Sequence, residues 1–196
     1  VQERIIKVER KTRETEISAV LNLSRRGESK LQTEIPFLNH LLFSLAFHGG
    51  FSLTLKAEGD LEVDPHHQVE DTGLVIGEAI SRIVPTYGAI ARFGHSVVPM
   101  DESLSEAVVD LSGRPHLVFK AEFPQDLCGT LPIHLLQDFF QALANRSLGT
   151  YHLLCRYGEN SHHMAESLFK ALGKALSQAW APQKNGEEPP STKGVI

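Results

Sequence analysis

The pentapeptide His66-His67-Gln68-Val69-Glu70 returns 96 residues later as His162-His163-Met164-Ala165-Glu166, and this recurrence of HHxxE decides how the chain is read. A repeat is sought before any fold is inferred, because it defines the unit that folds. Working outward, Phe37-Leu38-Asn39-His40-Leu41-Leu42 faces Leu135-Leu136-Gln137-Asp138-Phe139-Phe140 at a spacing of 98. Farther upstream, Ala19-Val20-Leu21-Asn22-Leu23-Ser24 faces Ala107-Val108-Val109-Asp110-Leu111-Ser112 at a spacing of 88. Loop insertions account for the drift. Matches in the same order imply an internal duplication, with halves at 1–92 and 93–182 and a polar, Pro/Gly-rich tail at 183–196.

Hydrophobic patterning gives each half the order βββαβα. In the first half, residues 5–8, 16–23 and 31–35 alternate or carry β-branched side chains as strands do. Phe37, Leu38, Leu41, Leu42 and Leu45 share one face of a helix over 37–48, which Gly49-Gly50 ends. A fourth strand covers 51–57. A second helix opens at Asp64, a good N-cap followed by proline at its first position, and runs to about Val84. The second half predicts strands at 95–100, 104–111, 115–122 and 150–157, and helices at 133–147 and 161–180. The fold class is therefore α/β (of the α+β type), with two four-stranded sheets and helices packed on one face of each.

Composition narrows the function classes. The chain has 196 residues, 41% hydrophobic and 22% charged, which fits a globular protein and not a disordered one. Nineteen Lys and Arg against 24 Asp and Glu give a net charge of −5, so no basic nucleic-acid footprint is present. No apolar run reaches the roughly 20 residues of a membrane helix, and no signal-peptide pattern opens the chain. The expected location is cytoplasmic, or plastid if a plant transit peptide preceded Val1. Cys128 and Cys155 lack metal-ligand spacing and read as reduced core thiols.

Histidine is the unusual count, at ten. On a helix, residues four apart share a face while adjacent residues diverge by about 100°. One HHxxE helix therefore offers His66 with Glu70 to one ion and His67 to another; the second offers His162 with Glu166, and His163 separately. Pseudo-twofold packing would gather both sets around two metals. His40 and its repeat partner Asp138 are further candidate ligands. Imidazole and carboxylate without thiolate suit Mn, Fe, Co, Ni or Zn, and six-coordinate geometry with open positions favours Mn. Arg92, Arg114, Lys170 and Lys193 are each unremarkable as solvated surface charge, but cations beside a metal pair would suit a phosphate-bearing substrate. Lys170 lies two turns after His162 on the same helix.

These residues carry a resemblance. Asp64 to Asp71, Arg92-Phe93-Gly94, Leu111-Ser112-Gly113-Arg114-Pro115, Gly158 to His163 with Glu166 and Phe169-Lys170-Ala171, and Pro190-Ser191-Thr192-Lys193-Gly194 resemble the imidazoleglycerol-phosphate dehydratase family across residues 6–196. The resemblance implies a duplicated fold related to the GHMP-kinase type, two Mn²⁺ per active site, and a homo-oligomer of 24 subunits with active sites between subunits. Neither nucleic acid nor membrane is an implied partner. It assigns His40, His67, His162 and Glu166 to one manganese and His66, Glu70, Asp138 and His163 to the other. Arg92, Arg114, Lys170, Ser191, Thr192 and Lys193 resemble the phosphate-holding set, which makes the tail functional. Glu14 matches the acid/base glutamate, with Glu16 its near neighbour, and His48 matches a substrate-contacting helix end. The implied reaction turns imidazoleglycerol phosphate into imidazole acetol phosphate in histidine biosynthesis, through a metal-bound imidazolate and a diazafulvene-like intermediate.

Departures from the family pattern are Asn39 in place of aspartate, Gln68 in place of threonine, Asp138 where some relatives carry histidine, and a poorly matching stretch at 125–134. Asn39 replaces a carboxylate expected to orient its neighbour, and Asp138 makes its metal site more anionic. Two other readings stand beside the dehydratase: a dinuclear phosphohydrolase with a metal-bound hydroxide, and a non-catalytic metal-binding shell protein.

Overall fold

The computed structural model describes residues 3–24 and 27–183. Ser191, Thr192 and Lys193 lie outside the described residues. The first half forms strands β1 (Ile5–Lys11), β2 (Thr15–Asn22), β3 (Lys30–Gln32) and β4 (Ser52–Gly59), with helices α1 (Pro36–Gly49) and α2 (His66–Ser81) and a single further turn, α3 (Ile83–Tyr87). The second forms β5 (Phe93–Met100), β6 (Ser103–Asp110), β7 (His116–Lys120), a small hairpin β8 (Leu127–Cys128) and β9 (Leu131–Pro132), then α4 (Leu135–Ser147), β10 (Thr150–Tyr157) and α5 (Ser161–Ala179). The sheets order as β1-β2-β4-β3 and β5-β6-β10-β7. In each, the outer short strand runs parallel to its neighbour, β3 to β4 and β7 to β10. Parallel neighbours need a crossover, and α1 and α4 supply it.

Strand patterning follows burial. Ile6 and Val8, Ile17, Ala19 and Leu21, and Leu53, Leu55 and Ala57 all point inward, while Glu9, Glu16, Lys56 and Glu58 face out. Helices α1 and α2 cover the first sheet, α4 and α5 the second, and the helices then pack across halves, α2 on α4 and α1 on α5. Close-packed glycines set that crossing, Gly73, Gly77 and Gly173 among them. A Cβ on Gly173 of α5 would sit 2.2 Å from the Leu45 carbonyl oxygen of α1, and one on Gly77 of α2 would sit 2.6 Å from that of Leu143 of α4. Gly77 and Gly173 are 96 residues apart, the spacing of the HHxxE repeat. The duplication thus extends to the contacts between helices.

Three details differ from the sequence reading. The 125–134 stretch contains the β8–β9 hairpin, in which Cys128 of β8 is itself buried. The expected helix to Val84 breaks after Ser81 into the short α3. Cys155 is half-buried in β10, although both thiols are free as expected.

Candidate active site

Each HHxxE helix opens on a side-chain cap that fixes where its histidines start. Asp64 Oδ1 accepts from the His66 N–H at 2.6 Å, and Asn160 Oδ1 accepts from the His162 N–H at 2.9 Å. Buried Asp71 ties α2 to the β1–β2 hairpin, accepting from Thr15 Oγ1 and, at 2.9 Å, from Arg10 Nε. The hairpin tip that carries Glu14 is thereby held against the start of α2.

The α1–α5 crossing assembles the first ligand group. His40 of α1 and His162 and Glu166 of α5 bring ligand atoms within 4.8 Å of one another, the one such group among the described residues. Nε2 of His40 and Nε2 of His162 approach the same oxygen, Glu166 Oε2, at 2.9 and 3.2 Å. Phe37 packs against both rings, with centroids at 6.0 and 4.9 Å. The other oxygen of Glu166 accepts from Lys170 Nζ at 2.8 Å and Ser44 Oγ at 3.3 Å. Burial pushes the Glu166 carboxyl up, but the Lys170 ammonium and the His40 ring outweigh it and hold it at about 2.

The α2–α4 crossing brings together a second, looser set, whose ligand atoms do not converge within 4.8 Å of one another. His66 stands between two carboxylates, Glu70 Oε2 at 3.5 Å from Nε2 and Asp138 Oδ2 at 3.6 Å from Nδ1. Within this chain the two HHxxE sets stay apart, as the ligand sets implied by the resemblance also separate them. Instead each set joins a residue from the other half, His162 and Glu166 with His40, His66 and Glu70 with Asp138.

His67 and His163 belong to neither group. Asp60 accepts from Nδ1 of His67 at 3.1 and 3.3 Å, and Glu102 from Nδ1 of His163 at 2.8 Å. These carboxylate hydrogen bonds raise the pKa of both rings, and the His163 contact holds the Glu102 carboxyl at about 2. Glu14 Oε2 stands 4.0 Å from His67 Nδ1, whereas Glu16 pairs with Lys11 on the solvated side of the sheet. Geometry therefore separates the two neighbouring glutamates.

The cations fall in two places. Arg92 makes a two-point contact with Asp110, Nε at 2.7 Å and Nη2 at 3.1 Å, with its guanidinium 4.6 Å from the Phe93 ring centroid. Arg114 Nη2 approaches the same Asp110 at 3.5 Å. Arg92 and Lys170 are mostly buried, not the solvated charges that composition favours. His48, half-buried in the last turn of α1, packs edge-on to Phe47. Asn39 does not orient the His40 ring. Its Oδ1 accepts from the N–H and Oγ1 of Thr33, which fastens the turn into α1, and an amide oxygen serves as well as a carboxylate there.

Sequence reasoning missed Asp60, Glu102 and Asp110. The available signal was the duplication itself, which puts Asp101-Glu102 at the same hairpin tip as Glu14.

A family model described as imidazoleglycerol-phosphate dehydratase matches residues 33–176. The chain is 46% identical to the imidazoleglycerol-phosphate dehydratase of Acidithiobacillus ferrooxidans, over 96% of each chain. It is also 46% identical to that of Vesicomyosocius okutanii, over 98% of this chain and all of the relative. The solved dehydratase of Staphylococcus aureus superposes with a TM-score of 0.83 at 34% identity, covering 92% of this chain and 100% of that one. That of Pyrococcus furiosus, in complex with (S)-C348, gives 0.84 at 33% identity, covering 96% and 100%. Repeat, fold and full-length relatives agree, and this chain belongs to the imidazoleglycerol-phosphate dehydratase family.

Proposed function

We propose that this chain is a hydro-lyase of histidine biosynthesis that dehydrates imidazoleglycerol phosphate to imidazole acetol phosphate with two manganese ions per active site. The observation that carries the metal reading is the convergence of His40, His162 and Glu166 within 4.8 Å, a donor set of imidazole and carboxylate that suits a divalent transition metal. His67 of another copy would complete that group, and His163 of another copy would complete His66, Glu70 and Asp138, which is why the reading includes a homo-oligomer; its size, 24 subunits, is what the family resemblance implies. When bound, the ions would act as Lewis acids that stabilise negative charge on the substrate's imidazole ring.

The chain's own residues supply the rest. The hydrogen to be lost sits on a carbinol carbon with no adjacent carbonyl, so it becomes acidic only after the hydroxyl next to the ring has left. Glu14, exposed at a hairpin tip beside His67, then takes that proton, and the resulting enol becomes the ketone. Arg92 and Arg114 converge on Asp110, and their guanidiniums would hold the phosphate together with Lys170, which stands apart beside Glu166, and with Ser191, Thr192 and Lys193 of the tail. His48 would contact substrate from the end of α1. The test is an assay of the purified chain with imidazoleglycerol phosphate, before and after chelator treatment and with Mn²⁺ restored. Ketone formed only with metal is the expected result. Release of inorganic phosphate without ketone would replace the dehydratase with a phosphohydrolase.

A further inference from the structure

His67 and His163 are the two candidate ligands that stand outside the trios of their own chain, and each ring is turned by a carboxylate. An imidazole that donates its Nδ1 proton to a carboxylate is in the tautomer whose Nε2 lone pair is free for a metal. Asp60 does this for His67 with both oxygens, and Glu102 does it for His163 with Oε2. Glu102 is itself clamped. Its Oε1 accepts from Ser103 Oγ at 2.9 Å, the Glu159 N–H at 3.2 Å and the Asn160 N–H at 2.9 Å, at the entrance to α5. Asp101 Oδ2 lies 3.7 Å from Nε2 of His163 on a side chain 76% exposed, too far for a hydrogen bond that would occupy that nitrogen.

The duplication sharpens the contrast. Glu14 and Glu102 both sit at the tip of the first hairpin of their half and both face the second histidine of their HHxxE. In the second half the tip carboxylate is locked onto the ring. In the first half Asp60, just after β4, takes over that contact, and Glu14 stays beyond hydrogen-bond reach with 56% of its side chain exposed. We propose that Asp60 and Glu102 are positioning residues that hold His67 and His163 in the Nε2-ligating tautomer, and that Asp60 thereby frees Glu14 for proton transfer. The proposal rests on the metal reading given above.

Two variants test it. In Glu102→Gln the side-chain oxygen still accepts from Ser103, Glu159 and Asn160, so the entrance to α5 is kept. The new NH₂ faces His163 Nδ1, which must then accept, and the ring proton moves to Nε2, where it blocks the metal. Asp60 lies against His67 Nδ1 with both oxygens, so an asparagine would still accept there, and Asp60→Leu removes the acceptor instead. The measurements are manganese bound per chain against free Mn²⁺, and the melting temperature of the metal-free protein. Each variant is expected to keep one ion at wild-type affinity and bind the other 10- to 100-fold more weakly. Two ions bound at wild-type affinity in either variant would overturn the proposal. So would an equal weakening of both ions alongside a large fall in the metal-free melting temperature, because that is the mark of a purely structural role. A wild-type chain that takes up no manganese overturns the metal reading and the proposal together, and that control tells the two failures apart.

Discussion

Replacing Gly173 with alanine should cost the protein both stability and its α1–α5 ligand group. The added Cβ would stand 2.2 Å from the Leu45 carbonyl oxygen and 3.1 Å from the Gly49 nitrogen. Ordinary carbon contacts begin at about 3.5 Å, so the helices must part by about 1 Å. Both atoms are backbone and cannot rotate away, which places the cost at the upper end of overpacking, about 3 kcal/mol. Alanine returns about 1 kcal/mol through helix propensity, leaving a net loss of about 2 kcal/mol. For a domain of this size that is a fall of about 4–8 °C in melting temperature. The same separation pulls His40 Nε2 away from Glu166 Oε2, now at 2.9 Å, so manganese affinity should fall as well. Thermal unfolding of the metal-free chain and a manganese titration measure the two effects. A Gly173→Ala protein that melts at or above wild type would refute the reasoning. Gly77→Ala, with its 2.6 Å contact to Leu143, should show a smaller version of the same loss.

Other outcomes follow from the site. Glu14→Gln should retain metal and substrate binding while turnover collapses, whereas Glu16→Gln, whose side chain pairs with Lys11, should turn over normally; steady-state kinetics on both variants decides it. Without metal, Glu166 and Glu102 stay charged in the fold down to about 2 but titrate near 4.5 once unfolded, so their stabilisation is complete above 4.5 and disappears as pH falls toward 2. Urea midpoints of the metal-free chain should therefore drop across that window, and less so in Glu166→Gln. A chain ending at Gln183 keeps the Ile90–Pro182 bridge and the Gln183 N–H bond to the Ala89 carbonyl. It should fold and bind manganese normally but show a sharply raised KM. Chelation should shrink the particle in sedimentation and Mn²⁺ should restore it, because His67 and His163 would each bridge copies.

Much of this was legible because period and repeat act locally. The HHxxE spacing put His66 with Glu70 and His162 with Glu166 on single helical faces, and the lag of 98 matched His40 with Asp138 before any contact was known. Which trio each joins came from the resemblance alone and not from the pattern, since the helix crossing is set by glycines such as Gly73, Gly77 and Gly173, whose lack of side chain leaves no periodic signal. The β8–β9 hairpin was hidden because strands of two residues carry no alternation. Asp60, Glu102 and Asp110 escaped for a different reason. Each is an ordinary carboxylate in sequence, and its role exists only through a histidine or an arginine brought to it from 7, 61 or 18 residues away.

The exchange of helices between halves has an evolutionary corollary. A half-length chain with only 1–92 would own His40 and the His66–Glu70 pair, yet would bring no complete trio together by itself. Two such chains, each laying its first helix on the last helix of the other, would make two identical trios related by a twofold axis. The present fold has the form of that dimer with its subunits joined end to end. Fusion makes the partner's helix intramolecular, so the trio no longer depends on protein concentration. It also releases the two trios from identity, and here one has kept imidazole at His40 while the other carries carboxylate at Asp138. On the two-metal proposal, a half-length dimer would bind metal only symmetrically, whereas the joined chain would present two unlike metal sites to a substrate that is itself lopsided.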